Sequence, residues 1–193
     1  MRKVNMKEFE FLNTEIEGLK LIKPFINEDN RGNFTKYYDK KVYDKNGIVF
    51  ESVYEAFDSV SKRGVIRGLH FQTQNPQAKL VRVPHGMIRD VVVDLRKNSA
   101  TYGKYHTEII SSDNEKILYV PRGFAHGFIC LSDISIVSYL CDREYSPESD
   151  GGILWNDKKL NINWNLSEFD DVILSERDKN LMSFEEYELI NDF

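Results

Sequence analysis

Short hydrophobic segments with the period of a β-strand dominate the chain between Leu19 and Leu140. They are rich in Val, Ile, Tyr and Phe, and turn-forming Gly, Pro, Asn, Asp or Ser residues bound them, which is typical of strands joined by turns. The segments are LKLIKPFI, FESVYEAF, GVIRGLHF, AKLVRVP, MIRDVVVDL, HTEIIS, KILYVP, FAHGFICL and ISIVSYL. A parallel α/β fold would need long helical patterns between these strands, and the middle of the chain has none. The pattern therefore predicts an all-β sandwich, jelly roll or barrel.

Helical patterns occur only near the two ends of this β-rich region. The first is TKYYDKKVYDKNG, residues 35–47, and the second is LSERDKNLMSFEEYELI, residues 174–190. In the second, Ser175 can cap a helix with Asp178 three residues further on. We therefore expect a single domain spanning residues 1–193, with short helices at its periphery.

Composition and charge exclude several classes of protein. With 41% hydrophobic and 30% charged residues the chain falls in the globular range. No apolar run approaches the ~20 residues of a membrane span, and the N-terminus is charged where a signal peptide is apolar, so we expect a cytoplasmic protein with no membrane partner. The net charge of −5 argues against a nucleic-acid partner. Cys130 and Cys141 have no disulfide or metal spacing and are expected to be buried.

The unpaired edges of a β-sheet favour association of this chain with a second copy. An exposed edge offers free backbone groups to another molecule, and two-fold symmetric dimers are the commonest soluble oligomers. A homodimer that shares or exchanges strands is one way to cover such edges. We therefore expect a homodimer.

The histidines do not have the spacing of a metal site. They are His70, His85, His106 and His126. In a barrel of the cupin type a metal draws on two histidines one residue apart on a strand, because alternate residues face inward. No such HxH pair occurs. We predict no metal, and a metal-dependent cupin enzyme stays as the alternative from a different class.

His70 has two readings that depend on the regularity of its strand. In a regular strand Arg67, Leu69 and Phe71 share one face, and His70 lies on the other with Gly68. A bulge or bend at Gly68 is then needed for Arg67 and His70 to reach one ligand. Without it, His70 reads as a hydrogen-bonded histidine of the core.

Four further side chains have both a structural and a chemical reading. Lys79 is an ordinary outward lysine, or an interior one that needs an anionic partner. Tyr145 either packs at a strand end or donates a proton to a reacting carbon. Asp178 is an acid at a helix start, or it orients a histidine. His126 is a hydrogen-bonded histidine of the core, or it lines a ligand pocket, since the small residues on either side of it leave room for a ligand.

Taken together and in order, these segments resemble the dTDP-4-dehydrorhamnose 3,5-epimerase family. The matching pieces are DNRGNF, RGVIRGLHFQ, QAKLVRV, GMIRDVVVDLR, TYGKY, YVPRGFAHGF, YLCDREYSP, GILWND with INW, and LSERD. They cover most of the chain. The combination of RGLHFQ, PRGFAHGF and YxP followed by WND is specific to this family.

The resemblance implies a fold, an assembly and a reaction. The fold is a cupin-like jelly roll, and the assembly is a homodimer that exchanges an N-terminal strand. The substrate is a nucleotide-diphosphate 4-keto-6-deoxy sugar inverted at C3 and C5, as in the conversion of dTDP-4-dehydro-6-deoxyglucose to dTDP-4-dehydrorhamnose. No metal or organic cofactor is implied.

The resemblance also implies a role for each matching side chain. His70 is the catalytic base, Asp178 its carboxylate partner and Tyr145 the acid on the opposite face of the sugar ring. The 4-keto group acidifies the hydrogens on C3 and C5, and an imidazole, which titrates at about pH 6.5, can remove them near neutrality. The implied substrate-binding residues are Arg31 from the partner subunit, Arg67, Lys79, His126 and Arg177.

Four positions depart from the family pattern and leave the substrate open. Glu55 and Phe57 stand where the family has Gln and Asn, Arg177 replaces a Lys and Asp150 replaces a Glu. A GDP-linked 4-keto-6-deoxy-heptose substrate and inversion at C3 alone stay as alternatives. A third alternative is a protein that binds a sugar nucleotide without catalysis, for which opposed acid and base groups serve no purpose.

Overall fold

The computed structural model describes residues 5–48 and 50–190, and strands account for most of its regular structure. The strands are β1 (Asn5–Lys7), β2 (Glu10–Asn13), β3 (Lys20–Lys23), β4 (Phe25–Asp29), β5 (Gly32–Lys36), β6 (Glu55–Lys62), β7 (Ile66–Gln72), β8 (Lys79–His85), β9 (Met87–Asp94), β10 (Tyr105–Ser111), β11 (Ile117–Val120), β12 (Phe124–Cys130), β13 (Ile134–Cys141) and β14 (Asp150–Gly152). The helices are α1 (Lys40–Lys45), α2 (Glu176–Lys179) and α3 (Phe184–Ile190), with a 3-10 turn at Pro147–Ser149.

Two antiparallel sheets face each other and enclose the main core. One has the strand order β10-β9-β12-β7-β14 and the other the order β2-β3-β11-β8-β13-β6, while β1, β4 and β5 form a third, small sheet. Alternate residues of each strand point inward. Val81 and Val137 of one sheet thereby pack with Ile88, Val92 and Phe128 of the other. The predicted all-β fold with short peripheral helices is confirmed.

Both outer faces of this sandwich are covered by the segments that carry the helices. The C-terminal segment lays Trp164, Phe184 and Tyr187 on the five-stranded sheet. On the six-stranded sheet, Tyr43 and Phe50 form the corresponding cover. The C-terminal segment therefore lies close to the strands that carry the candidate residues.

The predicted helix over residues 35–47 was too long. Thr35 and Lys36 belong to β5, which pairs with β4 in a hairpin, and the helix occupies only Lys40–Lys45. Asp39 caps it by accepting a hydrogen bond from the Val42 backbone N–H. Pairing between strands outweighs the local helical preference of this stretch.

The predicted C-terminal helix divides in two. Ser175 caps α2, because its Oγ accepts the Asp178 backbone N–H at 3.0 Å, so the predicted cap is confirmed. Met182 then forms a bridge with Ile153, and this pairing interrupts the helix before α3 begins. One strand boundary was also wrong, since residues 50–54 of the predicted segment FESVYEAF lie outside β6.

Two further expectations have outcomes in the described residues. Cys130 and Cys141 are buried free thiols, as predicted. No helix in residues 5–48 or 50–190 is long and apolar enough to cross a membrane. Strand exchange between two copies stays a prediction.

Candidate active site

At one end of the space between the two sheets, inward-facing apolar side chains give way to polar ones. Two adjoining cavities of about 630 Å³ and 240 Å³ open there and share Phe57, His70 and Lys79. The larger one also reaches Tyr145 and Arg177. Most of the predicted site residues therefore line one connected cleft.

A bulge in β7 brings Arg67 and His70 into this cleft together. His126 of β12 faces His70 and Phe128 faces Arg67, so three steps along β7 match two along β12. Of the two readings of this strand, the structure has the one with the bulge. Gly68 sits at the bulge with φ of 114°, and a Cβ there would lie 2.6 Å from the Gly127 Cα. Only glycine fits this close approach between strands.

His70 is hydrogen-bonded to Asp178, 108 residues further along the chain. The distance from His70 Nε2 to Asp178 Oδ1 is 2.7 Å, and the Asp178 side chain is only 5% exposed. Burial opposes ionisation of Asp178, but its hydrogen bonds with His70, the Gly68 backbone and Ser175 hold the pKa of this carboxyl below its ordinary value. Asp178 is therefore an ionised partner that fixes the orientation of the imidazole.

The Tyr145 phenol lines the same cleft and donates a hydrogen bond to Asp150. The Tyr145 OH lies 2.7 Å from Asp150 Oδ2, and Arg177 Nη2 lies 2.8 Å from the same oxygen. The hydrogen bond to Asp150 raises the pKa of Tyr145 above its ordinary value. The phenol consequently keeps its proton over a wider pH range.

Lys79 places an ammonium group in the interior of the cleft. Burial lowers the pKa of Lys79, and the nearby carboxylates of Asp150, Asp90 and Glu55 offset this only in part. Within the described residues Lys79 forms no ion pair. The reading of Lys79 as an outward-facing lysine was wrong, because the neighbouring inward positions of β8 belong to the main core.

His126 is held by a carboxylate that the sequence reasoning missed. His126 Nε2 lies 2.7 Å from Asp90 Oδ2, and both side chains are buried. Asp90 lies in the middle of the apolar segment MIRDVVVDL, and an acid in such a strand signals a buried partner. Burial also raises the pKa of Tyr139 well above its ordinary value, and its ring contacts His126 in the same part of the cleft.

The loop that carries Tyr145 is fixed by amide and carboxylate side chains that were likewise not assigned a role. Glu55 Oε1 accepts the Tyr145 backbone N–H at 2.9 Å, and Gln72 Oε1 accepts the Ser146 backbone N–H at 3.0 Å. Gln77 donates to the carbonyl of Arg143. These side chains are polar residues within or beside strands, and that is the signal by which they could have been found.

The two remaining arginines differ in position. Arg67 donates to Ser61 Oγ and to the Val60 carbonyl and lines the cleft. Arg31 lies at the tip of the β4–β5 hairpin, pairs with Asp29, and its side chain is 85% exposed. It lines neither of the two cavities that contain His70. Among the described residues no group of three or more His, Cys, Asp or Glu is arranged to hold a metal ion.

An oriented imidazole, a phenol and an ammonium group in one cleft of a β-sandwich are side chains that can serve as base, acid and charge stabiliser. The class of protein that this fold and site indicate is an enzyme.

Comparisons with known proteins agree and identify the family. The family model described as dTDP-4-dehydrorhamnose 3,5-epimerase matches residues 13–186. A dTDP-4-dehydrorhamnose 3,5-epimerase from Methanothermobacter thermautotrophicus is 46% identical over 175 residues, covering 91% of this chain and 94% of that protein.

Solved structures give the same result for the fold. A dTDP-6-deoxy-D-glucose-3,5-epimerase from Legionella pneumophila, in complex with dTDP-4-keto-L-rhamnose, is 37% identical with a TM-score of 0.88, covering 92% of this chain and 94% of that one. A 3'-monoepimerase from Streptomyces bikiniensis, in complex with dTDP-quinovose, is 28% identical with a TM-score of 0.86. The match covers 94% of this chain and 91% of that one. The chain belongs to the dTDP-4-dehydrorhamnose 3,5-epimerase family. It is a carbohydrate epimerase, an isomerase, with the cupin-like jelly roll that the resemblance implied.

Replacing Lys79 by methionine should stabilise the fold. The partly buried ammonium, whose pKa is lowered by desolvation, destabilises the folded state, so Lys79→Met should raise the free energy of unfolding at pH 7 by about 1 kcal/mol. The folded-state pKa of Lys79 is depressed, so the cost is present below that pKa. This cost disappears as the pH rises from the folded-state pKa towards the unfolded-state pKa of ~10.4. The stability gained by Lys79→Met should therefore shrink over the same pH range.

Denaturant unfolding at several pH values measures this effect. Lys97→Met, at an exposed lysine, is the matched control and should change stability by less than about 0.5 kcal/mol. A Lys79→Met variant that is less stable than the wild type at pH 7 contradicts the interpretation.

Proposed function

We propose that this enzyme inverts C3 and C5 of dTDP-4-dehydro-6-deoxyglucose, without a cofactor, to give dTDP-4-dehydrorhamnose. The observation that carries the proposal is the pair of oriented groups in one cleft, His70 with Asp178 and Tyr145 with Asp150. The names of the relatives support the substrate. A reaction that removes a proton from one face of a ring and returns one to the other needs two such groups.

His70 is the proposed base. Asp178 is ionised and accepts a hydrogen from Nε2, which fixes the imidazole tautomer and leaves the lone pair on Nδ1. Nδ1 then removes the hydrogen from a carbon next to the 4-keto group. The carboxylate stabilises the imidazolium that forms, in the manner of other base and orienter pairs.

Lys79 is proposed to stabilise the enolate that follows. Loss of the hydrogen moves negative charge onto the oxygen at C4. A preorganised cation in a cavity that excludes water stabilises such charge more than it would in bulk solvent. Lys79 has no ion pair among the described residues, so its ammonium is available to that oxygen.

Tyr145 is the proposed acid. Its phenol donates a proton to the carbon from the face opposite His70, and the product is the inverted centre. The raised pKa of Tyr145 keeps the proton in place until the enolate has formed. A positioned acid or base typically increases the reaction rate by ~10² to 10⁴-fold.

Arginines are proposed to bind the diphosphate of the substrate. The planar guanidinium matches phosphate oxygens with parallel hydrogen bonds. Arg67 lines the cleft and is the proposed diphosphate-binding residue of this chain. Arg177 also lines the cleft as a proposed substrate-binding residue, and His126 is proposed to line the sugar pocket. Arg31 lies on an exposed hairpin tip and lines neither cavity of its own chain, which supports a homodimer in which Arg31 of the partner subunit completes the site.

The alternatives concern the nucleotide, the sugar and the number of centres. Glu55 and Phe57, which depart from the family pattern, both line the larger cavity. The Phe57 ring stacks on Tyr139, with centroids 4.9 Å apart. Because these two residues differ from the family pattern, a GDP-linked 4-keto-6-deoxy-heptose is the alternative substrate. The likeness to a 3'-monoepimerase supports inversion at C3 alone as the alternative reaction.

Deuterium exchange from heavy water tests the proposed reaction. The wild type should introduce solvent deuterium at both C3 and C5 of dTDP-4-dehydro-6-deoxyglucose, detected by NMR, and label at C3 alone would support the single-centre alternative. His70→Ala should abolish exchange, and Tyr145→Phe should impair inversion more than proton removal. His85→Ala, at an exposed histidine, is the control. A His70→Ala variant with the wild-type exchange rate rejects the role of His70.

Subunit mixing tests the role of Arg31. Arg31→Ala and His70→Ala chains are each expected to be inactive. A mixed dimer contains one complete site, so random assortment should restore about a quarter of wild-type activity per subunit. Mixing His70→Ala with Asp178→Ala should restore none, because both residues belong to one chain's cleft. Failure of the first mixture to recover activity contradicts a shared site.

Thermal shift with a panel of nucleotides identifies the base. A ligand at 100 times its Kd stabilises the folded state by about 2.7 kcal/mol. We expect dTDP to raise Tm more than GDP, CDP or UDP at equal concentration. A larger shift with GDP favours the GDP-linked substrate.

A further inference from the structure

We propose that Asp150, held in place by Arg177, is the positioning residue that aims the Tyr145 phenol at the ring carbon. This inference rests on the proposed function and deepens it. It concerns how the acid is oriented, and it leaves the identity of the nucleotide open.

Sheet register brings Asp150 to the correct face of its strand. β14 pairs with β7 so that Asp150 lies opposite Gln72 and Gly152 lies opposite His70. Residues two apart on a strand share a face, so Asp150 lies on the face of β14 that accompanies His70 on β7. The side chain lines the larger cavity and is only 11% exposed.

The Tyr145 side chain depends on Asp150 although its backbone does not. The backbone N–H of Tyr145 is fixed by Glu55, and the next residue is fixed by Gln72. Among the described residues, the one hydrogen bond of the phenol is that from its OH to Asp150, and the residue is 51% exposed. Loss of this bond leaves the ring free to rotate on a fixed loop.

Arg177 connects this arrangement to the base. Its guanidinium holds the same Asp150 oxygen that accepts the Tyr145 hydrogen. Arg177 and Asp178 are consecutive residues of α2, and Asp178 bonds to His70. One turn of helix therefore supports the base through Asp178 and the acid through Arg177 and Asp150.

The carboxylate also influences the proton of the phenol. The ionisable groups that share the cavity with Tyr145 are Tyr54, Glu55, His70, Lys79, Asp150 and Arg177. Of these, Asp150 accepts the phenol's hydrogen bond, and its negative charge also opposes loss of that proton, while Arg177 acts in the opposite direction. Removing the charge on Asp150 should let the phenol ionise at lower pH.

Asp150→Asn is the variant that tests the proposal. It keeps the size of the side chain but loses the charge and the strong acceptor. We expect kcat for inversion to fall about 10- to 100-fold, the cost of a misaimed group, with a smaller change in KM. Exchange of solvent deuterium by His70 should continue, so the ratio of exchange to inversion should rise. The alkaline limb of the kcat profile should move to lower pH, a change that a purely structural role would not cause.

One control, one double variant and one further single variant complete the test. Glu148→Gln removes an exposed carboxylate from the same loop and should leave all readouts unchanged. In a Tyr145→Phe background, Asp150→Asn should cause no further loss, because it acts through the phenol. Arg177→Gln should raise the same exchange-to-inversion ratio, which keeps the proposal testable if Asp150→Asn does not fold.

The outcomes separate this inference from the proposed function. If Tyr145→Phe inverts the substrate at the wild-type rate, Tyr145 is not the acid, and the positioning role of Asp150 is overturned as well. If Tyr145→Phe is impaired but Asp150→Asn matches the wild type, only the inference is overturned. If the Asp150→Asn and Tyr145→Phe losses multiply in the double variant, Asp150 acts independently of Tyr145 and the proposal is likewise overturned.

Discussion

The hydrogen bond between His70 and Asp178 constrains the rest of the molecule, because it joins a strand of the sandwich to a helical turn near the C-terminus. For this contact to form, the C-terminal segment must cross the outer face of the five-stranded sheet and dock there through Trp164, Phe184 and Tyr187. Their burial, driven by the hydrophobic effect, therefore also brings an ionised carboxylate within 2.7 Å of an imidazole. In this protein the packing of a peripheral segment and the orientation of the candidate base depend on the same contacts.

Much of the fold could be predicted because strand periodicity is a local property. The apolar segments around β7, β8, β9, β12 and β13 alternate or run continuously and lie between turn residues. The errors arose where pairing decided the outcome. Thr35 and Lys36 join a hairpin, and the Met182 bridge divides the C-terminal helix. The partner of Met182 lies 29 residues away in the chain, so the sequence around Met182 does not reveal it. The hairpin partner is close in sequence, but the helical pattern of residues 35–47 outweighed the signal of the turn between Asp29 and Gly32.

The candidate site was predictable to a smaller extent. Residue types and order indicated His70, Tyr145 and Asp178 as a set, through resemblance more than through local pattern. A polar residue within a strand marks Asp90 and Glu55 as candidates, but the sequence does not identify their partners. The contacts of Asp90 with His126 and of Glu55 with the loop of Tyr145 join separate strands and loops. The bulge at Gly68 was recognisable only as a condition for Arg67 and His70 to meet. A glycine marks where a strand can deform, and the neighbouring strand determines whether it does.

The single turn of α2 has a mechanical consequence. Because Arg177 and Asp178 are adjacent on one short helix capped by Ser175, thermal displacement of the C-terminal segment carries both of their side chains in the same direction. The position of Arg177 relative to Asp178 therefore changes little when the segment moves as a whole. A scaffold that drew them from separate loops would have to suppress two independent motions to reach the same accuracy.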